Sequence, residues 1–283
     1  MLTPFVIVLV LSAALLHASW NALLRGGADR ARSMLVMNIA VGLAGLVMLA
    51  IAGLPSSAAT VYVFASGLIH LIYNALLVVM YRSGDLGETY PVARGVSPAL
   101  VSLGGSLFAG EWMGPTATVG IGLVCAGIFM LAAARARAAP GFASAMNLPA
   151  ALATGVSIAA YTIVDGVGVR TSGNWVAYVG SIFAFFLLMP LWYLARRQFS
   201  MFVMSSVEVA KAASGGLISL AAYGAIIWAM RTGSMGAVSA MRETSVLFAA
   251  LLGAAFLHER LTGWRIAACC IIAAGAACVG WRA

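Results

Sequence analysis

Charge is what this sequence has least of. Only 8% of its 283 residues are Asp, Glu, Lys or Arg, against roughly 25% in a soluble domain, and 63% are hydrophobic. That balance excludes a water-soluble fold and leaves a membrane protein. Cysteine is scarce as well. Cys125, Cys269, Cys270 and Cys278 all lie in apolar runs. They lack metal-ligand spacing with histidine, which leaves them as small packing residues. A Cys-x2-Cys or His-x3–5-His pattern, a Gly-x-Ser-x-Gly turn and a Walker loop are all missing, so an intramembrane enzyme is disfavoured and no cofactor or metal is expected. The amino-terminal run has no basic start and no small-residue cleavage site. It is expected to be the first helix, not a signal peptide.

What is present is apolar length and glycine. Glycine fills 31 of 283 positions, about 11% against about 7% on average, which suits close packing between transmembrane helices. A helix needs about 20 apolar residues to cross the hydrocarbon core. Ten stretches fit: 4–24, 34–53, 61–82, 87–109, 115–134, 148–169, 175–195, 212–231, 236–257 and 263–281. The predicted fold class is an all-α integral membrane protein. Near the middle, "RARAAPGFASAMN" at 135–147 reads as a linker between a first five-helix repeat, 1–134, and a second, 148–283.

The halves resemble each other. "YRSGDLG" at 81–87 aligns with "MRTGSMG" at 230–236. After a one-residue slip, "RGVSPALVSLGGSLFAGE" at 94–111 aligns with "RETSVLFAALLGAAFLHE" at 242–259, and "HASWN" at 17–21 aligns more weakly with "YTIVD" at 161–165. Five spans per half is an odd number, so the second repeat runs inverted, the construction many transporters use for alternating access. One set of loops carries Arg25, Arg30, Arg32, Arg82, Arg135, Arg137, Arg196, Arg197, Lys211, Arg260 and Arg265, and the other only Arg170, Arg231 and Arg282. Eleven cations against three predict that the first set is cytoplasmic and both termini lie outside.

The segments "YPVARGVSPALVSLGGSLFAGE" (90–111), "AMRETSVLFAALLGAAFLHERL" (240–261) and "LLHASWNALLR" (15–25) resemble EamA-type members of the drug/metabolite transporter superfamily. The resemblance covers the whole chain. It implies ten helices and secondary transport of a small metabolite across a cell's inner (plasma) membrane, by a monomer or homodimer in the lipid bilayer with no nucleic-acid partner. Many members of the family have cytoplasmic termini, and the arginine count departs from that.

Arg94 and Arg242 belong to neither face. A charge at the bilayer centre costs at least about 2.5–3.5 kcal/mol. Both lie roughly 10 Å inside their spans at about 1.5 Å per residue, where snorkelling is stretched. They occupy equivalent positions of the repeat, and a guanidinium fork suits carboxylate or phosphate. The expected substrate is therefore a small anionic or zwitterionic metabolite, with an aromatic or cationic compound as the alternative. Glu243 follows Arg242 and is expected on another helix face. Asp165 is expected to pair with Arg242 at one gate and Asn21 to sit near Arg94 at the other, with proton coupling through His17, His70, Asp165 or Glu243.

His70, Tyr73 and Asn74 form one polar face on the third helix. His17 with Asn21 does so on the first, and Tyr161 with Asp165 on the sixth. Three such faces predict a cavity lining, to which Trp20 and Trp228 are candidate stacking residues. Pro91, Gly95 and Pro98 interrupt the pattern of the fourth helix, as a site or as a kink. Glu111 and Glu259 close the fourth and ninth helices and are expected to hold a neighbouring arginine or helix end.

Overall fold

Apolar runs this long leave the backbone no water to bond, so each must satisfy its own N–H and C=O groups as a helix. A computed structural model describes residues 2–24, 29–83, 86–138, 148–257 and 262–281. Within them, the side chains of 22–24, 30, 78–83, 86–91, 134–138 and 256–257 are not described. The expected linker at 135–147, Glu259, Arg25, Arg82 and Arg260 fall wholly or in their side chains outside the description. Ten stretches of the described residues are long and apolar enough to cross a membrane. They are built from twelve α-helices: α1 (Pro4–Leu24), α2 (Arg30–Ala52), α3 (Thr60–Ser83), α4 (Leu86–Ala109), α5 (Pro115–Ala138), α6 (Leu148–Thr171), α7 (Trp175–Ala184), α8 (Leu188–Ala195), α9 (Ser206–Ala229), α10 (Met235–Arg242), α11 (Ser245–Leu257) and α12 (Gly263–Gly280).

Caps set the helix starts more sharply than hydropathy does. Asp29 accepts from the N–H groups of Ala31 and Arg32, so α2 begins at Arg30, before the expected 34. Ser205 and Glu208 form a capping box that starts α9 at Ser206, six residues before the expected 212. Polar cap residues are invisible to an apolar window, which is why both starts were placed late.

Two spans are broken, and the fourth is helical throughout. The seventh span passes through a 3-10 turn at Phe185–Leu187. Pro190 follows in the first turn of α8, where it can neither donate to nor fit against residue 186 of a continuous helix. The ninth span breaks at Glu243 and Thr244. There Glu243 N–H bonds the Ala240 carbonyl and Thr244 N–H the Met241 carbonyl, both at 3.1 Å, a three-residue spacing. By contrast α4 runs unbroken through Pro91, Gly95 and Pro98.

Packing joins the two halves of the chain at every level. α4 packs on α6, and α1 on the α10–α11 pair. α1 packs on α9 and α3 on α6; α2 packs on α9 and α3 on α7. Each pair turns into its companion when spans one to five are exchanged with spans six to ten, while α2/α7 and α5/α12 map onto themselves. Those two self-paired crossings are glycine to glycine. A Cβ on Gly120 would lie 2.7 Å from the Gly275 carbonyl and the reverse holds for Gly275, while Gly45 and Gly180 stand in the same relation across α2 and α7.

The loops fall into two sets. Ser56 on the α2–α3 turn bonds Ser172 and Thr171, and Gly233 on the α9–α10 turn sits beside Leu2, so these share the face of Arg170. At the opposite end Arg32 donates to the Val203 carbonyl at 3.1 Å.

Candidate functional site

Where the spans cross, polar side chains from both halves meet in a buried layer. Arg94 on α4 is 4% exposed, which rules out snorkelling for its guanidinium. Its Nε lies 2.5 Å from Glu243 Oε2, its Nη2 donates to Ser245 Oγ at 2.9 Å, and its Nη1 meets His17 Nε2 at 2.9 Å. A guanidinium has donors only, so His17 Nε2 accepts. Three spans thus supply one cluster: the first through α1, the fourth through α4, and the ninth through the two helices on either side of its break.

Glu243 points to a neighbouring helix, as expected, through its pair with Arg94, and its other oxygen also comes near Arg242. The helix ends at Arg242 and Glu243 turns with φ −67 and ψ −14, which brings Glu243 Oε1 to 3.7 Å from Arg242 Nε. Helical spacing would have kept them apart; the break removes it. That contact is an ion pair without a hydrogen bond. Arg242 Nε and Nη2 and Glu243 Oε1 are all buried and have no hydrogen-bond partner among the described residues. Arg242 lies within electrostatic reach of His17, His70 and Tyr223.

The second cluster centres on Asp165 of α6, which is fully buried. Tyr178 on α7 donates to its Oδ1 at 3.1 Å and Tyr223 on α9 to its Oδ2 at 2.5 Å. The expected Asp165–Arg242 ion pair is not formed. Arg242 pairs with Glu243 instead, and no salt bridge among the described residues includes Asp165. A Cβ on Gly168 would collide with the Tyr178 hydroxyl, so the missing side chain makes room for that donor.

His70 stacks on Tyr161 at 4.1 Å and 25°, and its Nδ1 meets the Ser66 carbonyl at 2.9 Å, which requires that Nδ1 carry the proton. Tyr223 stands edge-on to both rings, and Tyr73 edge-on to Tyr161 at 5.6 Å. Asn74, one turn on from His70, is buried and its Nδ2 has no partner among the described residues. The polar faces read on the third and sixth helices therefore meet.

Two expected positions differ. Asn21 does not reach Arg94: its Nδ2 donates to the His17 carbonyl at 2.8 Å, and His17, one turn earlier, makes the contact. Trp20 stays nearby, edge-on to His17 at 5.2 Å. Trp228 lies away from the polar layer, edge-on to Phe5 and lining an apolar groove of about 440 Å³ with Met48, Trp175 and Leu220. Tyr178, Tyr223, Ser66 and Ser245 were not read from sequence. Tyrosines in the middle of an apolar span, far from the interfacial aromatic belt, were the signal for the first two. Among the described residues no group of His, Cys, Asp and Glu is placed to hold a metal.

A buried ion pair between the two halves of a helical bundle, with a buried carboxylate beside it in the second half, defines the class: a multi-pass membrane protein with an internal polar centre. Residues 146–281 match the EamA-like transporter family of the drug/metabolite transporter superfamily. That match implies a membrane transporter of the same type. A solved crystal structure aligns with a TM-score of 0.73 over 97% of this chain and 96% of that one at 20% identity, which shows a shared fold. No curated protein matches the sequence.

Proposed function

We propose that the protein is a secondary transporter that carries a small anionic or zwitterionic metabolite, with Arg242 as the anion-binding group. The observation that carries this reading is the pair of buried Arg242 donors without a hydrogen-bond partner among the described residues. An unmet buried donor costs about 1–3 kcal/mol, and a ligand carboxylate or phosphate accepting from Nε and Nη2 removes that cost. Glu243, already held by Arg94, keeps Arg242 oriented without saturating it. Asp165 and the rings of His70, Tyr73, Tyr161 and Tyr223 form the other wall, which suits the ammonium and body of a zwitterion. Arg94 and His17 act as the frame that sets Glu243.

Alternating access follows from two inverted halves, 1–134 and 148–283, and the exchange of helix pairs supports that division. The arginine bias of the loops supports an inner (plasma) membrane location with both termini outside. The test is thermal stabilisation of the purified protein by amino acids, carboxylates, phosphonates and cationic drugs, since a ligand of the folded state raises its stability by mass action. Anions or zwitterions that stabilise the native protein and not Arg242→Ala support the reading. Stabilisation by cations alone, or unaffected by Arg242→Ala, overturns it.

A further inference from the structure

The face that carries Arg170 holds a network that the polar layer does not use. Glu111 follows α4 directly, yet both its carboxylate oxygens bond the other half of the chain. Oε1 takes Arg170 Nη2 at 2.5 Å, and Oε2 accepts the Met235 N–H at 2.7 Å. Arg170, at the end of α6, also donates from Nε to the Met230 carbonyl and from Nη2 to the Gly233 carbonyl, each at 2.8 Å. One guanidinium thus clasps both ends of the turn between α9 and α10, while one carboxylate meets the first N–H of α10.

That carboxylate replaces a missing cap. Ser234 occupies the N-cap position of α10 and makes no side-chain cap bond. Glu111 supplies the acceptor and the negative charge that a helix start favours, from across the interface between halves. Its own position is fixed by the backbone. Gly110 turns the chain with φ +64, a conformation that favours glycine. Glu111 N–H then bonds the Gly105 carbonyl at 3.0 Å and Ser106 Oγ bonds the Glu111 carbonyl at 2.9 Å. The side chains of Arg170 and Glu111 are 29% and 13% exposed, so solvent screens the pair only in part.

The helix so capped is short and consequential. α10 has eight residues and its last is Arg242. Seven steps of about 1.5 Å link the Glu111 contact to the guanidinium of the polar layer by a rigid rod of roughly 10 Å.

We propose that Glu111 and Arg170 form a latch between the two halves that keeps this face shut and, through α10, sets Arg242. Glu111 touches no substrate and is a positioning residue. Releasing it frees the start of α10 and opens a path from this face to the polar layer.

Thiol labelling of Ser239→Cys tests this without any substrate, so its outcome stands apart from the anion site. Ser239 lies on α10, fully buried and with its hydroxyl unpartnered. The native chain with its four cysteines gives the background rate. A membrane-impermeant thiol reagent is applied to sealed vesicles of either orientation. Adding Glu111→Gln is expected to raise the Ser239→Cys rate about five- to hundred-fold from the Arg170 face only, the usual span of a conformational coupling. Arg170→Lys keeps the charge but loses the fork and is expected to raise it less. The exchange Glu111→Arg with Arg170→Glu is expected to leave the rate raised, because an arginine cannot accept the Met235 N–H and a glutamate cannot donate to the Met230 and Gly233 carbonyls. Unchanged labelling in Arg170→Lys and Glu111→Gln overturns the latch, as does an equal rise from both faces, which marks general loosening. Where Glu111→Gln does not reach the membrane, Arg170→Lys alone decides.

Discussion

Arg94 Nε and Glu243 Oε2 stand 2.5 Å apart, joining the fourth span to the break in the ninth. Both side chains are 5% exposed or less, so neither charge has water to fall back on. Glu243→Gln leaves Arg94 and Arg242 buried with no acid between them and is expected to cost about 3–5 kcal/mol, and Arg94→Ala, which leaves Glu243 its 3.7 Å contact with Arg242, somewhat less. Arg94→Met with Glu243→Leu is expected to recover only part of that stability, because Arg242 then keeps no acid. Thermal unfolding in detergent measures it, and a double variant no more stable than the singles counts against a paired role.

Arg242 is expected to behave in the opposite way. Its ion pair is long and two of its donors are unmet among the described residues. Arg242→Gln should change stability by no more than about 1 kcal/mol in either direction, because little bonding is lost and an unmet group is removed. Ligand-induced stabilisation should vanish in the same variant. A loss of stability equal to that of Arg94→Ala would make the guanidinium structural.

Asp165 depends on two hydroxyls from two other helices. Tyr178→Phe and Tyr223→Phe should each cost about 1–3 kcal/mol by leaving a buried acceptor short. Gly168→Ala drives a methyl into the Tyr178 hydroxyl and should cost at least as much as Tyr178→Phe. Combined, Gly168→Ala and Tyr178→Phe should cost less than their sum, since both act on one contact. Additive losses in chemical unfolding would show that Gly168 serves some other packing.

The α5/α12 crossing sets how closely the fifth and tenth spans meet. Each glycine faces the other's carbonyl, so relief at one side leaves the clash at the other. Gly120→Val is expected to destabilise by about 1–3 kcal/mol, the usual cost of overpacking a tight interface. Size-exclusion profiles and thermal unfolding report it, and a neutral result would mean that the two helices separate freely.

The ten spans and the burial of Arg94 and Arg242 were legible in the residues. Each depends on composition over a window or on a charge with nowhere apolar to go, and such signals survive without knowledge of neighbours. So did the polar faces on the third and sixth helices, because a spacing of three and four is itself a statement of direction.

Pairing was another matter. Asn21 in place of His17 as the neighbour of Arg94, and Arg242 in place of two tyrosines as the partner of Asp165, were errors of one kind. Sequence equivalence gives the depth of a residue in the membrane but not the rotation of its helix or the neighbour it faces. The break at Glu243 changed the rotation of everything after it, and no proline or glycine announced it. α4 stays helical through Pro91 and Pro98. Whether a helix bends at a given site depends on what its freed backbone groups and its side chains meet on other helices. Hydropathy alone therefore decided that this chain crosses a membrane ten times and buries two arginines. Which acid answers each arginine, and which guanidinium keeps donors to spare, was decided only when helices from both halves came together.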